Sequence, residues 1–263
     1  MHPILLKLGP ITIFTYGFML AVAFLSAIYV AGREAQRLGI PKGQFYDLCF
    51  YIIVAALVGS RLLFVILDPG AFLSHPLKIF ALWEGGLDFQ GGLFLALIVA
   101  FYYIHRRGWS WRPTLDALAL GAPLGQFFGR IGCFMAGCCY GTPTHVPWAV
   151  VFTDPTSLCP LRGVPLHPSQ LYESFLALSV FGLLYWFRTR KRYGGQLMLL
   201  YLCLAGLVRF VVEFFRSPSD YRGPTYFAWM PLTQLIALLL FLVCGGLLLY
   251  WSFRSQPQAQ EQH

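Results

Sequence analysis

TLDALALGAPLGQFFGRIG, residues 114–132, and QLMLLYLCLAGLVRFVVE, residues 196–213, are apolar along most of their length, and each holds one arginine, Arg130 and Arg209. About 20 such residues in helical form match the roughly 30 Å hydrocarbon core of a bilayer. An arginine at the middle of a membrane helix costs roughly 2.5–3.5 kcal/mol, so an anion-binding task is the first reading of both. The alternative is that both lie near helix ends and reach with their long stems to the lipid headgroups.

The rest of the chain agrees with these two segments. Hydrophobic residues make up 57% of the 263 positions and charged residues only 11%, against about 25% charged in a soluble domain. Further apolar runs start near Ile11, Phe45, Gly91, Pro168 and Trp229, which with Thr114 and Gln196 makes seven. The expected fold is therefore an all-α integral membrane protein of seven transmembrane helices. Residues 1–254 form a single transmembrane domain, with a small head at about 140–167 between the fourth and fifth spans. Residues 255–263 read as a polar, disordered cytoplasmic tail.

The net charge of +8 does not point to nucleic acid, because of where the charges fall. Arg33, Arg37 and Lys42 follow the first span, Arg106, Arg107 and Arg112 the third, Arg188 to Arg192 the fifth, and Arg254 the seventh. All lie on one side of a seven-span chain, which by the positive-inside rule is the cytoplasm. The N-terminus is then periplasmic and the C-terminus cytoplasmic. The opening residues show no charged region followed by a cleavage site, so the first apolar run reads as a span and not as a removed signal.

Outside the spans, Tyr140 to Leu166 carries Pro143, Pro147, Pro155, Pro160 and Pro165 around a β-like run, Trp148 to Phe152, and is the outer head. A second excursion, Asp68 to Gln90, could cover a site opening toward the same side. Polar residues not explained by solvation gather on that half: Arg61, Arg130, Glu173, Arg209 and Glu213. Arg209 and Glu213, four apart on a helix, can pair. The surplus positive charge suits a phosphate-bearing ligand. Gly129, Gly132, Gly137 and Gly141 flank Arg130 and either permit close helix packing or bend the backbone around an anion.

Three motifs together resemble one family. They are Gly129-Arg130-Ile131-Gly132-Cys133-Phe134-Met135-Ala136-Gly137-Cys138-Cys139-Tyr140-Gly141, then His167 to Glu173, then Gly206 to Arg216 followed by Pro218 and Asp220. With Tyr16-Gly17 and Gln90-Gly91-Gly92-Leu93 also in place, the ordered set resembles the prolipoprotein diacylglyceryl transferases. The resemblance implies a bacterial inner-membrane, multi-pass enzyme that moves the diacylglyceryl group of phosphatidylglycerol onto the lipobox cysteine of a preprolipoprotein signal peptide and releases glycerol phosphate. It implies no cofactor and no metal. Arg130 and Arg209 match the family's essential arginines and would stabilise the leaving phosphate and favour the attacking thiolate. Tyr16, Arg61, Gly91, Gly92, Cys133, Gly137, Cys138, Gly141, Glu173 and Glu213 are the expected substrate contacts.

Four positions depart from the family. Gln90 stands where a histidine, the proposed base, is usual, and glutamine takes up no proton. Cys133 and Cys138 replace an asparagine and a glutamate, and Ala205 replaces a tyrosine. The same reaction with another base, such as solvent, Asp88 or His167, is one reading. A paralogue with a different lipid or acceptor is another, an inactive relative a third, and a seven-span transporter or binding protein for an anionic lipid or solute stands outside the family.

Among the seven cysteines, Cys49, Cys203 and Cys244 lie in spans as small hydrophobes. Cys138, Cys139 and Cys159 fall near an oxidising compartment. The spacing C-x4-C-C matches no common zinc framework, so a disulfide from Cys159 to Cys138 or Cys139 is expected instead.

Overall fold

The structure is a computed structural model and describes residues 2–9, 11–73, 76–81, 86–217 and 230–254. The expected tail at 255–263, and Pro218, Asp220 and Trp229, lie outside the described residues. The chain divides into two compact units, Gly32–Thr114 and Met1–Ala31 with Leu115–His263.

In the larger unit the chain opens with a hairpin, β1 (Ile4–Leu8) and β2 (Ile11–Phe14), paired antiparallel. The first span expected from Ile11 therefore begins only at Thr15, where α1 (Thr15–Arg37) takes over. β-branched Ile11, Thr12 and Ile13 suit a strand, and their antiparallel pairing with β1 distinguishes the segment from the helix that follows. The helix α1 ends in the smaller unit.

The smaller unit continues with α2 (Lys42–Leu67), a single short turn α3 (Gly70–Leu73), a 3-10 turn at Pro76–Phe80 and α4 (Phe89–Arg106). Its two long helices pack backbone to backbone. A methyl group at Gly59 would lie 2.4 Å from the Gly91 carbonyl oxygen, and one at Gly91 the same distance from that of Gly59. Close approach through small residues is how membrane helices gain contact where no hydrophobic effect drives them together.

From Trp111 the chain returns through α5 (Trp111–Ala136) to the larger unit, then forms the head, α6 (Ser169–Phe187), α7 (Gln196–Glu213) and α8 (Leu232–Arg254). Ala119, Leu120, Val180, Leu184, Leu197, Val208 and Val212 pack into a core from α5, α6 and α7. The N-terminus of α7 is capped from α5: buried Asp116 accepts from the backbone N–H of Gly195 (2.9 Å) and Met198 (3.1 Å) and pairs with Lys191 Nζ at 2.7 Å. A carboxylate there meets the positive end of the helix dipole.

The head contains a two-stranded antiparallel pair of β3 (Val150–Val151), inside the run read as β-like, with β4 (Pro165–Leu166). Its core is Tyr140, Phe152, Cys159 and Leu166, with Phe134, Leu161 and Val164 around them. Among the described residues the regular structure is helical apart from two small two-stranded sheets. Five of the described helices, α1, α2, α4, α7 and α8, are long and apolar enough to cross a membrane. Their outward side chains are large and apolar, as with Phe50 (63% exposed), Phe94 (69%) and Val243 (58%). In water such surface would be an association hazard; in lipid it is the solvated face. This is a multi-pass membrane protein.

Candidate functional site

The two arginines that set the class lie in one ion-pair chain. Glu173, on the first turns of α6 and 3% exposed, has Oε1 at 2.8 Å from Arg130 of α5 and Oε2 at 3.8 Å from Arg209 of α7. Gln126 Nε2 also donates to Glu173 Oε1 at 3.0 Å. Arg209 in turn meets Glu213 Oε2 at 2.7 Å, the expected pairing along α7, while Thr233 of α8 donates to Glu213 Oε1 at 3.2 Å. Four helices, α5 to α8, thereby converge on one network.

This arrangement explains how charge is tolerated there. Unpaired, a buried arginine would cost several kcal/mol. Each guanidinium here has a carboxylate, yet each arginine side chain stays about one-fifth exposed. A guanidinium has five N–H donors, so donors remain for a second anion. Arg216, just beyond α7, also acts electrostatically on Arg209 and on Cys139.

The end of α5 turns sharply beside these charges. Gly137 has φ +82, and a methyl group there would strike Ser157 Oγ at 2.1 Å. Cys139 has φ +58, a left-handed conformation rare for a residue with a side chain. The N–H groups of Gly137 and Cys138 both donate to the Cys133 carbonyl, at 2.9 and 3.2 Å. Buried Gln170 donates to the Cys138 carbonyl (2.7 Å) and Ser169 to that of Cys139 (2.9 Å), so the start of α6 pins the turn. Gly141 crosses between the backbones of His167 and Phe215, where a methyl group would lie 2.4 and 2.6 Å from their carbonyl oxygens.

That turn brings Cys133, Cys138 and Cys139 together, their sulfurs all within 4.8 Å of one another. Arg130 lies close enough to act electrostatically on Cys133 and Cys139. Tyr16, in the first turn of α1, packs on Gly132 and feels the same three cysteines. With Gly17, Cys138, Thr156 and Leu158 it lines a mostly apolar cavity of about 410 Å³. Tyr16, Cys133, Gly137, Cys138, Gly141, Glu173, Glu213 and the two arginines are thus one neighbourhood.

The expected disulfide is not formed: all seven cysteines are free thiols. Cys159 is buried in the core of the head with its sulfur toward the Leu161 carbonyl, whereas Cys138 and Cys139 turn toward Cys133. The head is stabilised by that apolar core and by backbone pairing, not by a cross-link.

In the smaller unit, Arg61 is 6% exposed. Its guanidinium donates to the carbonyls of Ile79 (2.8 Å), Gly86 (3.1 Å), Ala81 (3.4 Å) and Lys78, and it stacks over Phe64 and Phe72. It organises the loop after α2. Gly91 and Gly92 face Gly59 and Ala56 of α2, where they serve helix contact. Gln90 is exposed and borders a groove of about 520 Å³ walled by Leu62, Leu63, Ile66, Phe94 and Ile98.

Both alternative bases have other work. The Asp88 carboxylate caps α4 by accepting from the N–H of Gln90 (2.9 Å) and Gly91 (3.3 Å). His167 Nδ1 lies 3.1 Å from the Tyr172 hydroxyl, which accepts from Trp148 Nε1 at 2.7 Å, and its ring packs on Phe215.

Comparison with known proteins places the chain. Residues 3–251 match the family model described as prolipoprotein diacylglyceryl transferase. The phosphatidylglycerol–prolipoprotein diacylglyceryl transferase of Bordetella avium (strain 197N) is 39% identical over 254 residues, covering 94% of this chain and 93% of the relative. The protein of the same name from Solidesulfovibrio magneticus is 36% identical over 240 residues, 90% of this chain and 89% of that one. That from Photobacterium profundum is 35% identical over 261 residues, 97% and 95%. With sequence motifs, ion-pair network and relatives agreeing over nearly its whole length, the chain belongs to the prolipoprotein diacylglyceryl transferase family.

Proposed function

We propose that this protein transfers the diacylglyceryl group of phosphatidylglycerol to the lipobox cysteine thiol of a preprolipoprotein and releases glycerol phosphate, the first step of lipoprotein maturation. The observation that carries the reading is the match over residues 3–251 together with relatives named for that activity. The reaction forms an S–C bond to the glyceryl carbon and breaks its C–O bond, so negative charge builds on the departing phosphate ester. Arg130 and Arg209 bind that phosphate with the donors left over from Glu173 and Glu213. A preorganised cation at a developing oxyanion contributes about 3 kcal/mol or more.

Tyr16, Cys133 and Cys138 contact the substrates beside the phosphate, with Gly137 and Gly141 shaping the backbone around them. The groove beside Gln90 has the apolar walls an acyl chain or a signal-peptide segment needs.

In the membrane we place seven spans, adding α5 and α6 to the five most apolar helices. At 26 and 19 residues and about 1.5 Å per residue both are long enough, and their charged residues are paired inward. The lysine and arginine bias supports a periplasmic head and N-terminus and a cytoplasmic C-terminus. Residues 1–254 act as one transmembrane domain.

The activity is tested with purified protein, phosphatidylglycerol and a lipobox peptide, following glycerol phosphate release and the mass of the peptide. A peptide heavier by one diacylglyceryl group is expected. No transfer under conditions where the Bordetella avium relative is active would remove the assignment. An impermeant thiol reagent on single introduced cysteines checks the topology: labelling at Arg190 in intact cells contradicts it.

A further inference from the structure

Gln90 takes up no proton, and Asp88 and His167 are engaged in capping and in the head, so the acceptor thiolate comes either from ionisation into solvent, unfavourable near neutrality, or by another route. The three cysteines at the end of α5 supply one. Zinc–thiolate bonds of about 2.3 Å place the sulfurs of a tetrahedral site about 3.8 Å apart. The sulfurs of Cys133, Cys138 and Cys139, within 4.8 Å of one another, reach that spacing by small side-chain rotations.

The backbone is built to hold them there. The convergence depends on two left-handed residues in three, Gly137 and Cys139. A non-glycine residue kept at φ +58 is strain of the kind that persists where its surroundings over-determine it, and such strain gathers at functional sites. Ser169 and Gln170 hold the Cys138 and Cys139 carbonyls, as outer-shell partners fix the ligands of metal sites. Charge fits as well. Three thiolates around a divalent ion carry one net negative charge, and Arg130 and Arg216 are both close enough to act on Cys139.

We infer that Cys133, Cys138 and Cys139 form a zinc-class metal site with its fourth position open to the cavity beside Tyr16, where it binds the acceptor cysteine of the lipoprotein as a thiolate. This rests on the transferase reading for the identity of the fourth ligand, though not for the three protein ligands. On coordination the acceptor thiol gives up its proton to water, because a thiol bound to such an ion is deprotonated. Its sulfur lone pair then forms the S–C bond to the glyceryl carbon. The C–O bond breaks, its electron pair leaves on the phosphate oxygen held by Arg130 and Arg209, and that product regains a proton from water. The thioether formed is neutral and a weaker ligand than a thiolate, so the product dissociates and the position reopens.

The test uses the full chain in detergent micelles. After exposure to excess zinc and removal of loosely bound ion, elemental analysis should find one zinc per chain. Cys133→Ser, Cys138→Ser and Cys139→Ser should each lose it, while Cys159→Ser, which alters only the core of the head, keeps it. The cobalt-loaded protein should show thiolate-to-cobalt charge-transfer absorption. Its ligand-field bands should shift with a lipobox peptide, and not with the same peptide carrying serine in place of cysteine. Chelation should slow transfer at pH 7 by up to about 30-fold, the reciprocal of the thiolate fraction of a free thiol of pKa about 8.5.

Wild-type protein without stoichiometric zinc overturns the site, as does zinc retained by all three cysteine variants, which marks adventitious metal only. A cobalt spectrum unmoved by the cysteine peptide overturns the open fourth position. Failure of the underlying function looks different: metal and peptide both bind, but no glycerol phosphate is released. Full transfer by zinc-free enzyme instead overturns the metal inference and leaves the transferase intact.

Discussion

Glu173→Gln isolates the electrostatic centre of the network. The carboxylate lies 2.8 Å from Arg130 and 3.8 Å from Arg209. At an effective dielectric constant near 20 these separations correspond to about 6 and about 4 kcal/mol of attraction, before the cost of desolvation is set against them. Glutamine keeps the shape and an oxygen for Gln126 to donate to, but abolishes both attractions and leaves two guanidinium groups with Glu213 alone. Removing one member of a buried pair costs about 3–5 kcal/mol. The partial exposure of both arginines argues for the lower end, about 3 kcal/mol. For a chain of this size that is a fall in melting temperature of roughly 6–12 °C, read by tryptophan fluorescence in detergent at matched scan rates. An anion should restore part of the loss by taking the vacated place between the guanidinium groups. Phosphatidylglycerol should therefore raise the melting temperature of the variant more than that of wild type. A variant that melts within about 2 °C of wild type and shows no extra response to phosphatidylglycerol refutes the assignment of Glu173 as the group that holds the two arginines in place.

Three other outcomes are expected. Arg130→Ala and Arg209→Ala should each slow transfer by at least about 100-fold, the equivalent of about 3 kcal/mol of transition-state stabilisation, while remaining folded by size-exclusion chromatography; near wild-type turnover in both would dismiss them as the phosphate site. Asp116→Ala should destabilise the chain by about 3–5 kcal/mol, because it leaves Lys191 unpaired and the first N–H groups of α7 uncapped. Asp116→Asn, which keeps an acceptor for one of the two N–H groups, should cost less, and equal melting temperatures for the two variants would show that the cap contributes nothing. Gln90→His should be tolerated and should raise transfer most at mildly acidic pH. The free thiolate becomes scarcer as pH falls below the thiol pKa, whereas a histidine of pKa about 6.5 still offers some neutral base there. Loss of activity would mean that Gln90 makes a specific hydrogen bond to substrate.

Much of this was legible in the residues because a membrane leaves few solutions. Apolar run length gave the helices to within a few residues, and the separation of four between Arg209 and Glu213 gave their ion pair. Glu173 as the bridge to Arg130 was not legible. It lies 43 positions further along the chain, and only the packing of α5 on α6 brings the two together. Arg61 shows a related limit. A buried arginine reads the same whether it awaits a ligand or satisfies the carbonyls of its own loop, and periodicity says nothing about where loop carbonyls point. At the N-terminus the apolar residues from Ile11 to Phe14 are too few for a period to separate strand from helix, and only the antiparallel pairing with Ile4–Leu8 distinguishes them.

The cysteines show most sharply why spacing alone is a poor guide to a site. Four residues separate Cys133 from Cys138, and on a continuing helix Cys133 and Cys138 would point in directions more than 100° apart. The helix does not continue. It stops at Ala136, Gly137 is left-handed with no room for a side chain against Ser157, and Cys139 follows in the same conformation. That reversal folds Cys138 and Cys139 back over the last turn of α5, so a spacing foreign to common zinc frameworks yields three sulfurs in one place. The same reversal brings them within electrostatic reach of Arg130, the cation proposed for the phosphate. A thiolate nucleophile and a phosphate leaving group need opposite things from a site: concentrated positive charge stabilises both ions but also masks the nucleophile. The Glu173 carboxylate, 2.8 Å from Arg130, eases that conflict, since it tempers the guanidinium until a phosphate competes for it.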